Sequence, residues 1–212
     1  MKVLVFGASG NIGREITAEL LRRGHAVTAA SRSGSQAEGL GVPVLPGDAA
    51  DAATVAALAQ GQDAVVAAIG PKPGAAVPDG AFSGPAHGLI EGLRAAGVRR
   101  LLILGGAGSL EVAPGQRVVD GPGFPDLWKP NALGQAEALD IYRTVGDLDW
   151  TYVSPAAVIQ PGERTGTYRV GGDQLLVDAA GESRISIPDY AAGFVDELEK
   201  GNAIRRRITV AY

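Results

Sequence analysis

The chain of 212 residues has no cysteine, which excludes disulfides, thiolate catalysis and cysteine-bound metal. Histidine is nearly absent as well: His25 and His87 stand far apart, neither with a partner at metal-ligand spacing, so each reads as a surface or loop residue. No apolar run approaches the roughly 20 residues that span a bilayer. A strand beginning at the first residues leaves no room for a signal peptide, so a cytoplasmic location is the expectation. There is no excess of positive charge, with 19 Lys and Arg against 23 Asp and Glu and a net charge of −4. Apart from Arg205-Arg206-Arg207 the basic residues are scattered, which argues against nucleic acid or an anionic membrane as a partner. Glycine, by contrast, is plentiful, 31 residues, about twice ordinary usage. A fold with many strand-to-helix turns uses glycine in that way. The apolar fraction of 46% and the charged fraction of 20% are those of a globular chain long enough to bury a sizeable core.

The most informative glycines come first. Val3-Leu4-Val5-Phe6 runs directly into Gly7-Ala8-Ser9-Gly10-Asn11-Ile12-Gly13, after which Ile12, Ile16 and Leu20 mark one face of a helix. Gly7 lets the chain leave the strand in a turn closed to most side chains, Gly10 lets backbone approach a ligand closely, and Gly13 lets the helix pack on the sheet. The helix N-terminus offers unpaired N–H groups and partial positive charge, which suits an anion. The spacing is G-x-x-G-x-x-G, a variant of the dinucleotide fingerprint. Gly7, Ser9, Gly10, Asn11, Ile12 and Gly13 are therefore the residues expected around a diphosphate.

A second strand over His25 to Ala30 ends at Ser31-Arg32-Ser33, where the adenosine ribose of a dinucleotide would arrive. An acid there would hold the 2′-hydroxyl of NAD. Arg32 between two hydroxyl residues suits a 2′-phosphate instead, so NADP(H) is the expected cofactor. A third strand, Val42 to Leu45, leads to Gly47-Asp48, and Asp51 caps a helix. Asp48 either meets the adenine edge or serves the turn. Asp63 to Gly70 is a fourth strand, apolar on both faces, and its end, Ile69-Gly70, should run under the middle of the cofactor. The loop Pro71 to Gly80 forms the rim of the site. A helix from Pro85 to Ala96, a strand from Arg99 to Leu104 and the turn Gly105-Gly106-Ala107-Gly108-Ser109 follow. Leu110 to Pro130 has no periodicity and carries Phe124 and Trp128, which favours a flap. A helix over Asn131 to Val145 precedes a sixth strand, Asp149 to Val153, closing on Ser154-Pro155, which should border the nicotinamide. Thr167 to Val170 and Gln174 to Val177 read as a hairpin around Gly171-Gly172-Asp173. Pro188 starts a last helix, and Ile208 to Ala211 can add a strand. This alternation predicts an α/β, Rossmann-type doubly wound parallel sheet, one domain over 1–212 with a small substrate-side lobe at 156–187.

The glycine turn, Gly47-Asp48 with Asp51, Gln62-Asp63-Ala64-Val65, Gly105 to Ser109 and Asp149-Trp150-Thr151-Tyr152-Val153-Ser154-Pro155 together resemble the atypical short-chain dehydrogenase/reductases. The nearest likeness is to the NAD(P)H-binding group named for NADH-flavin reductases, related to biliverdin/flavin reductases and to NmrA-like proteins. The resemblance covers essentially the whole chain. It departs from alcohol-oxidising members in one respect: the Tyr-x-x-x-Lys pair is missing. Tyr142 is followed four residues later by Gly146, and the helix Asn131 to Val145 has no lysine. The resemblance therefore implies an NADPH-dependent reductase passing hydride to a conjugated flavin, bilin or quinone, with Ser109 as the hydroxyl best placed to orient the acceptor or relay a proton. A non-catalytic NADP(H)-binding redox sensor of the NmrA-like type is the alternative. No metal is called for.

Overall fold

The computed structural model describes residues 1–36, 39–71 and 75–212. Strands β1 (Lys2–Phe6), β2 (Ala26–Ser31), β3 (Val44–Pro46), β4 (Ala64–Ala67) and β5 (Arg100–Leu104) alternate with helices α1 (Asn11–Arg22), α2 (Ala52–Ala59) and α3 (Ser83–Ala96). Short strands β6 (Glu111–Ala113) and β7 (Gln116–Arg117) precede α4 (Lys129–Arg143), then come β8 (Asp149–Pro155), β9 (Val158–Gln160), β10 (Arg169–Gly171), β11 (Arg184–Ser186), α5 (Ile187–Lys200) and β12 (Arg206–Ala211). The main sheet has the order β10-β12-β8-β5-β4-β1-β2-β3, and every pairing is parallel except β10 with β12. This is the doubly wound order of a Rossmann-type fold, and the direction of winding reverses between β1 and β4.

Both faces of the sheet are covered, which is why its central strands read as unbroken apolar runs. Val3, Val5, Ile16 and Leu20 pack with Tyr190, Phe194 and Leu198 on the side of α1 and α5. Leu4, Phe6, Leu89, Leu93, Leu139 and Tyr152 form the core on the side of α2, α3 and α4. The caps follow the sequence: Asp51 accepts from the Ala53 amide at 3.1 Å to start α2, and Ser186 accepts from the Asp189 amide at 3.1 Å to start α5.

One expectation is corrected. Residues 167–177 do not form a hairpin: Arg169–Gly171 instead pairs antiparallel with Arg206–Ala211. Gln174 forms an isolated bridge to Glu111. Thr209 Oγ1 donates to the Gly172 carbonyl at 2.7 Å, so the neighbouring strand supplies the contacts a local partner would have made. Smaller shifts move β2 to Ala26–Ser31, β3 to Val44–Pro46, and the start of α4 back to Lys129. The region 110–130 contains β6, β7 and two short 3₁₀ turns. In the rim loop, residues 72–74 lie outside the described residues.

Candidate functional site

The parallel strands end at one edge. In sheet order, that edge carries Asp48 after β3, Ser31 to Ser33 at β2, the glycine turn after β1, Ile69 and Gly70 after β4, Gly105 to Ser109 after β5, and Ser154 and Pro155 on β8. Five gaps of about 4.8 Å make this row roughly 24 Å long. Residues scattered through the sequence are thereby placed along a single track crossing the point where the winding reverses, the usual ligand crevice of open α/β sheets.

Gly7 adopts φ 80°, and a Cβ there would lie 2.1 Å from the Ala68 carbonyl oxygen, so the turn requires glycine. A Cβ on Gly13 would meet the Gly7 carbonyl at 2.1 Å, which fixes the close seat of α1 on the turn. Gly10 is different: it is exposed, and its Cβ position meets only the Gly7 carbonyl at 3.2 Å. Its open face is turned to solvent. Gly10 gives α1 no side-chain cap, and among the described residues nothing accepts the amide hydrogens of Asn11, Ile12 and Gly13. Unpaired donors at a helix start fit a diphosphate.

At the β2 end, Ser31 is buried and its Oγ has no partner among the described residues. Arg32 and Ser33 are exposed in the turn that follows, and Ser33 donates to Ser35 Oγ at 2.7 Å. Asp48 is exposed and accepts from the Ala50 amide at 3.0 Å, which gives it a turn role. These groups fit a ribose and its substituent.

At the other end stands the expected Ser154, and the structure adds Tyr152, Asn131 and Gln135, which sequence reasoning passed over. Ser154 donates to the Gly106 carbonyl at 2.9 Å. Tyr152 donates to the Gln135 carbonyl at 2.8 Å. Gln135 Nε2 donates to Asn131 Oδ1 at 2.9 Å, while Gln135 Oε1 is buried without a partner among the described residues. A buried amide oxygen left so costs about 1–3 kcal/mol. The Asn131/Gln135 spacing of one helical turn was the available signal. Ser109 is buried, and both its carbonyl and its Oγ accept from Arg207 Nη1 at 2.9 Å. Arg207 in turn bonds the Asp173 carboxylate through Nε at 2.7 Å. The hydroxyl of Ser109 thus stands beneath the rim, fixed by a guanidinium. Tyr142 lines an apolar void of about 20 Å³ with Ile69, Phe82, Leu104 and Tyr152. Burial pushes the phenols of Tyr142 and Tyr152 well above the usual value, so neither is a ready proton donor.

Phe124 is half-buried beside Gly108, and Trp128 is exposed at the start of α4. The C-terminal segment forms the small β9–β11 pair beside a depression of about 420 Å³ lined by Gln160, Gly162, Glu163, Arg184, Ile185 and Tyr212. Among the described residues, no helix is long and apolar enough to cross a membrane.

A sheet wound in this order around an open helix N-terminus defines a Rossmann-type nucleotide-binding protein with the fold of an NAD(P)H-dependent oxidoreductase. The chain belongs to the NAD(P)H-binding family, whose model matches residues 7–198. It is 40% identical to the uncharacterized protein YwnB of Bacillus subtilis, over 99% of this chain and 98% of that one. Among solved structures, a protein from Burkholderia pseudomallei provisionally named as exported is 48% identical, with a TM-score of 0.91 and 100% of both chains covered. A Streptococcus pneumoniae protein provisionally named an NADH-flavin reductase is 38% identical, with a TM-score of 0.87, covering 100% of this chain and 99% of that one.

Proposed function

We propose that this protein is an NADPH-dependent reductase that delivers hydride to a conjugated acceptor, a flavin, bilin or quinone. The observation that carries the reading is the row of strand ends, with free amides of α1 at its centre, Arg32 at one end and a rim lacking a Tyr/Lys acid pair at the other. When bound, the dihydronicotinamide supplies the hydride. Asn11, Ile12 and Gly13 hold the diphosphate with their amide hydrogens, and Arg32 with Ser31 and Ser33 holds the 2′-phosphate. Ile69, Gly70, Ser154 and Pro155 shape the floor beneath the ring. Ser109 relays a proton or orients the acceptor: Arg207 donates into its oxygen, so its own hydrogen is left to donate.

A conjugated acceptor delocalises the incoming electrons itself, so the protein's task is to stack two rings in reacting geometry and keep water out. The missing Tyr/Lys pair is consistent with that. The name carried by the Streptococcus pneumoniae relative points the same way, and a cytoplasmic location, where reduced nicotinamide is at hand, accompanies the reading.

The test is direct: mix purified protein with NADPH and riboflavin, FMN or a quinone, and follow the absorbance of the reduced nicotinamide. Turnover with at least one acceptor is expected. Tight NADPH binding with no turnover on any of them would overturn the reductase and leave a redox sensor.

A further inference from the structure

We infer that Gln135 and Asn131 together form a polarity-adaptable contact for the acceptor, accepting from its reduced form and donating to its oxidised form. The inference rests on the reductase reading and names which edge of the acceptor the site recognises.

The amide of Gln135 lies against Gly106 at the carboxyl end of β5. A Cβ on Gly106 would stand 2.7 Å from Gln135 Oε1 and 2.9 Å from its amide carbon. Gly106 thus gives this side chain room at the rim, between the ends of β4 and β8. The Gln135 amide makes one bond, Nε2 to Asn131 Oδ1 at 2.9 Å, and Oε1 is the buried atom without a partner. Orphaned buried polar atoms are rare enough in folded proteins to require a cause, and an incoming ligand group is the cause that fits one at the edge of a ligand crevice.

The chemistry of two facing amides gives the contact its particular property. Each carries a carbonyl acceptor on one side and an NH₂ donor on the other. If both turn over together, Asn131 Nδ2 donates to Gln135 Oε1, the bond between them survives, and Gln135 places Nε2 against Gly106 where Oε1 stood. Terminal amide torsions are broad, so the turn meets little resistance. Asn131 is half-buried, and no described residue bonds its Nδ2, so nothing else fixes its sense.

Hydride reduction of a flavin-like ring reverses what that ring offers its neighbours. A ring nitrogen that offers a lone pair when oxidised carries an N–H when reduced, so a contact of fixed polarity would favour one redox form and hold back the other. The amide pair serves both.

The test compares riboflavin, which has no phosphate, in its oxidised and anaerobically reduced forms, measuring affinity by calorimetry with NADP⁺ present. Gln135→Met removes donor and acceptor, and should weaken both forms about tenfold, the equivalent of one hydrogen bond. Asn131→Asp permits only acceptance from Gln135 Nε2, which holds Oε1 as the atom left for the acceptor. It should weaken oxidised riboflavin about tenfold while leaving the reduced form within about twofold. NADPH affinity should be unchanged in both variants.

Equal affinities in wild type and Gln135→Met, or an equal change for both redox forms in Asn131→Asp, would overturn the inference. Asn131→Asp alters a half-exposed position and keeps the test available if Gln135→Met does not fold. Wild-type turnover of NADPH with riboflavin is measured alongside. Turnover with unaltered variant affinities removes the amide pair alone, whereas neither turnover nor riboflavin binding by wild type removes the reductase reading and this inference with it.

Discussion

Glu19 offers a stability experiment whose size and pH dependence both follow from its surroundings. It sits on α1 with its side chain 4% exposed. It accepts from Arg22 at 2.5 and 3.0 Å, from Arg23 at 2.8 Å, and from Arg164, 145 residues away, twice at 3.0 Å. Burial alone would raise its carboxyl, but the hydrogen bonds from Arg164, Arg22 and Arg23 outweigh it and bring the value from 4.5 down to about 2. At about 1.4 kcal/mol per pH unit, that displacement from 4.5 to about 2 is worth at most about 3.5 kcal/mol. Arg22 and Arg164 are 52% and 38% exposed, so water screens part of it, and Glu19→Gln should cost about 2 kcal/mol at pH 7. A carboxyl held below its unfolded value stabilises above that unfolded value and loses the contribution as pH falls toward the folded one. The gap between wild type and Glu19→Gln should therefore be full above pH 4.5 and close progressively between 4.5 and about 2. Urea unfolding of both proteins across that range measures it. A gap that stays constant with pH, or one under about 0.5 kcal/mol at pH 7, the size of an ordinary surface substitution, would refute the network as a source of stability.

Arg32→Ala should weaken NADPH by about 1.5–3 kcal/mol, the worth of a hydrogen bond to a charged group, and leave NADH nearly unchanged; calorimetry that finds equal losses would separate Arg32 from the 2′-phosphate. Gly13→Ala places a Cβ 2.1 Å from the Gly7 carbonyl and should lower the melting temperature markedly. Gly10→Val instead should leave the protein folded while abolishing binding of either coenzyme; retained affinity would move the diphosphate elsewhere. Tyr142→Phe should leave turnover within about twofold, because the phenol is enclosed and its burial makes it a poor acid; a large loss in kcat would return Tyr142 to the chemistry.

What the sequence made legible was whatever depends on neighbours along the chain. The strand, glycine turn and helix at the start follow from a run of apolar residues, a spacing and three small side chains, and each has its steric reason in the contacts around Gly7 and Gly13. The same local logic misled at residues 167–177, where Gly171-Gly172-Asp173 suggests a tight hairpin. The polar groups of that stretch are instead answered by β12, through Thr209 and Arg207, and no local pattern announces a partner more than thirty residues away. Arg205-Arg206-Arg207 shows the limit most plainly. Three consecutive arginines look like one solvated patch, and two of them are exposed. Strand alternation sends Arg206 and Arg207 to opposite faces, but only the carboxylate of Asp173 and the two oxygens of Ser109 make one of those faces a place where a guanidinium can be buried. The position of Ser109, offered by the sequence as the hydroxyl best placed to meet the acceptor, is set in the same way, since the cation that fixes it lies 98 residues further on. Periodicity therefore locates the elements, and the polar pairs that decide how a site works have to be found where distant elements meet.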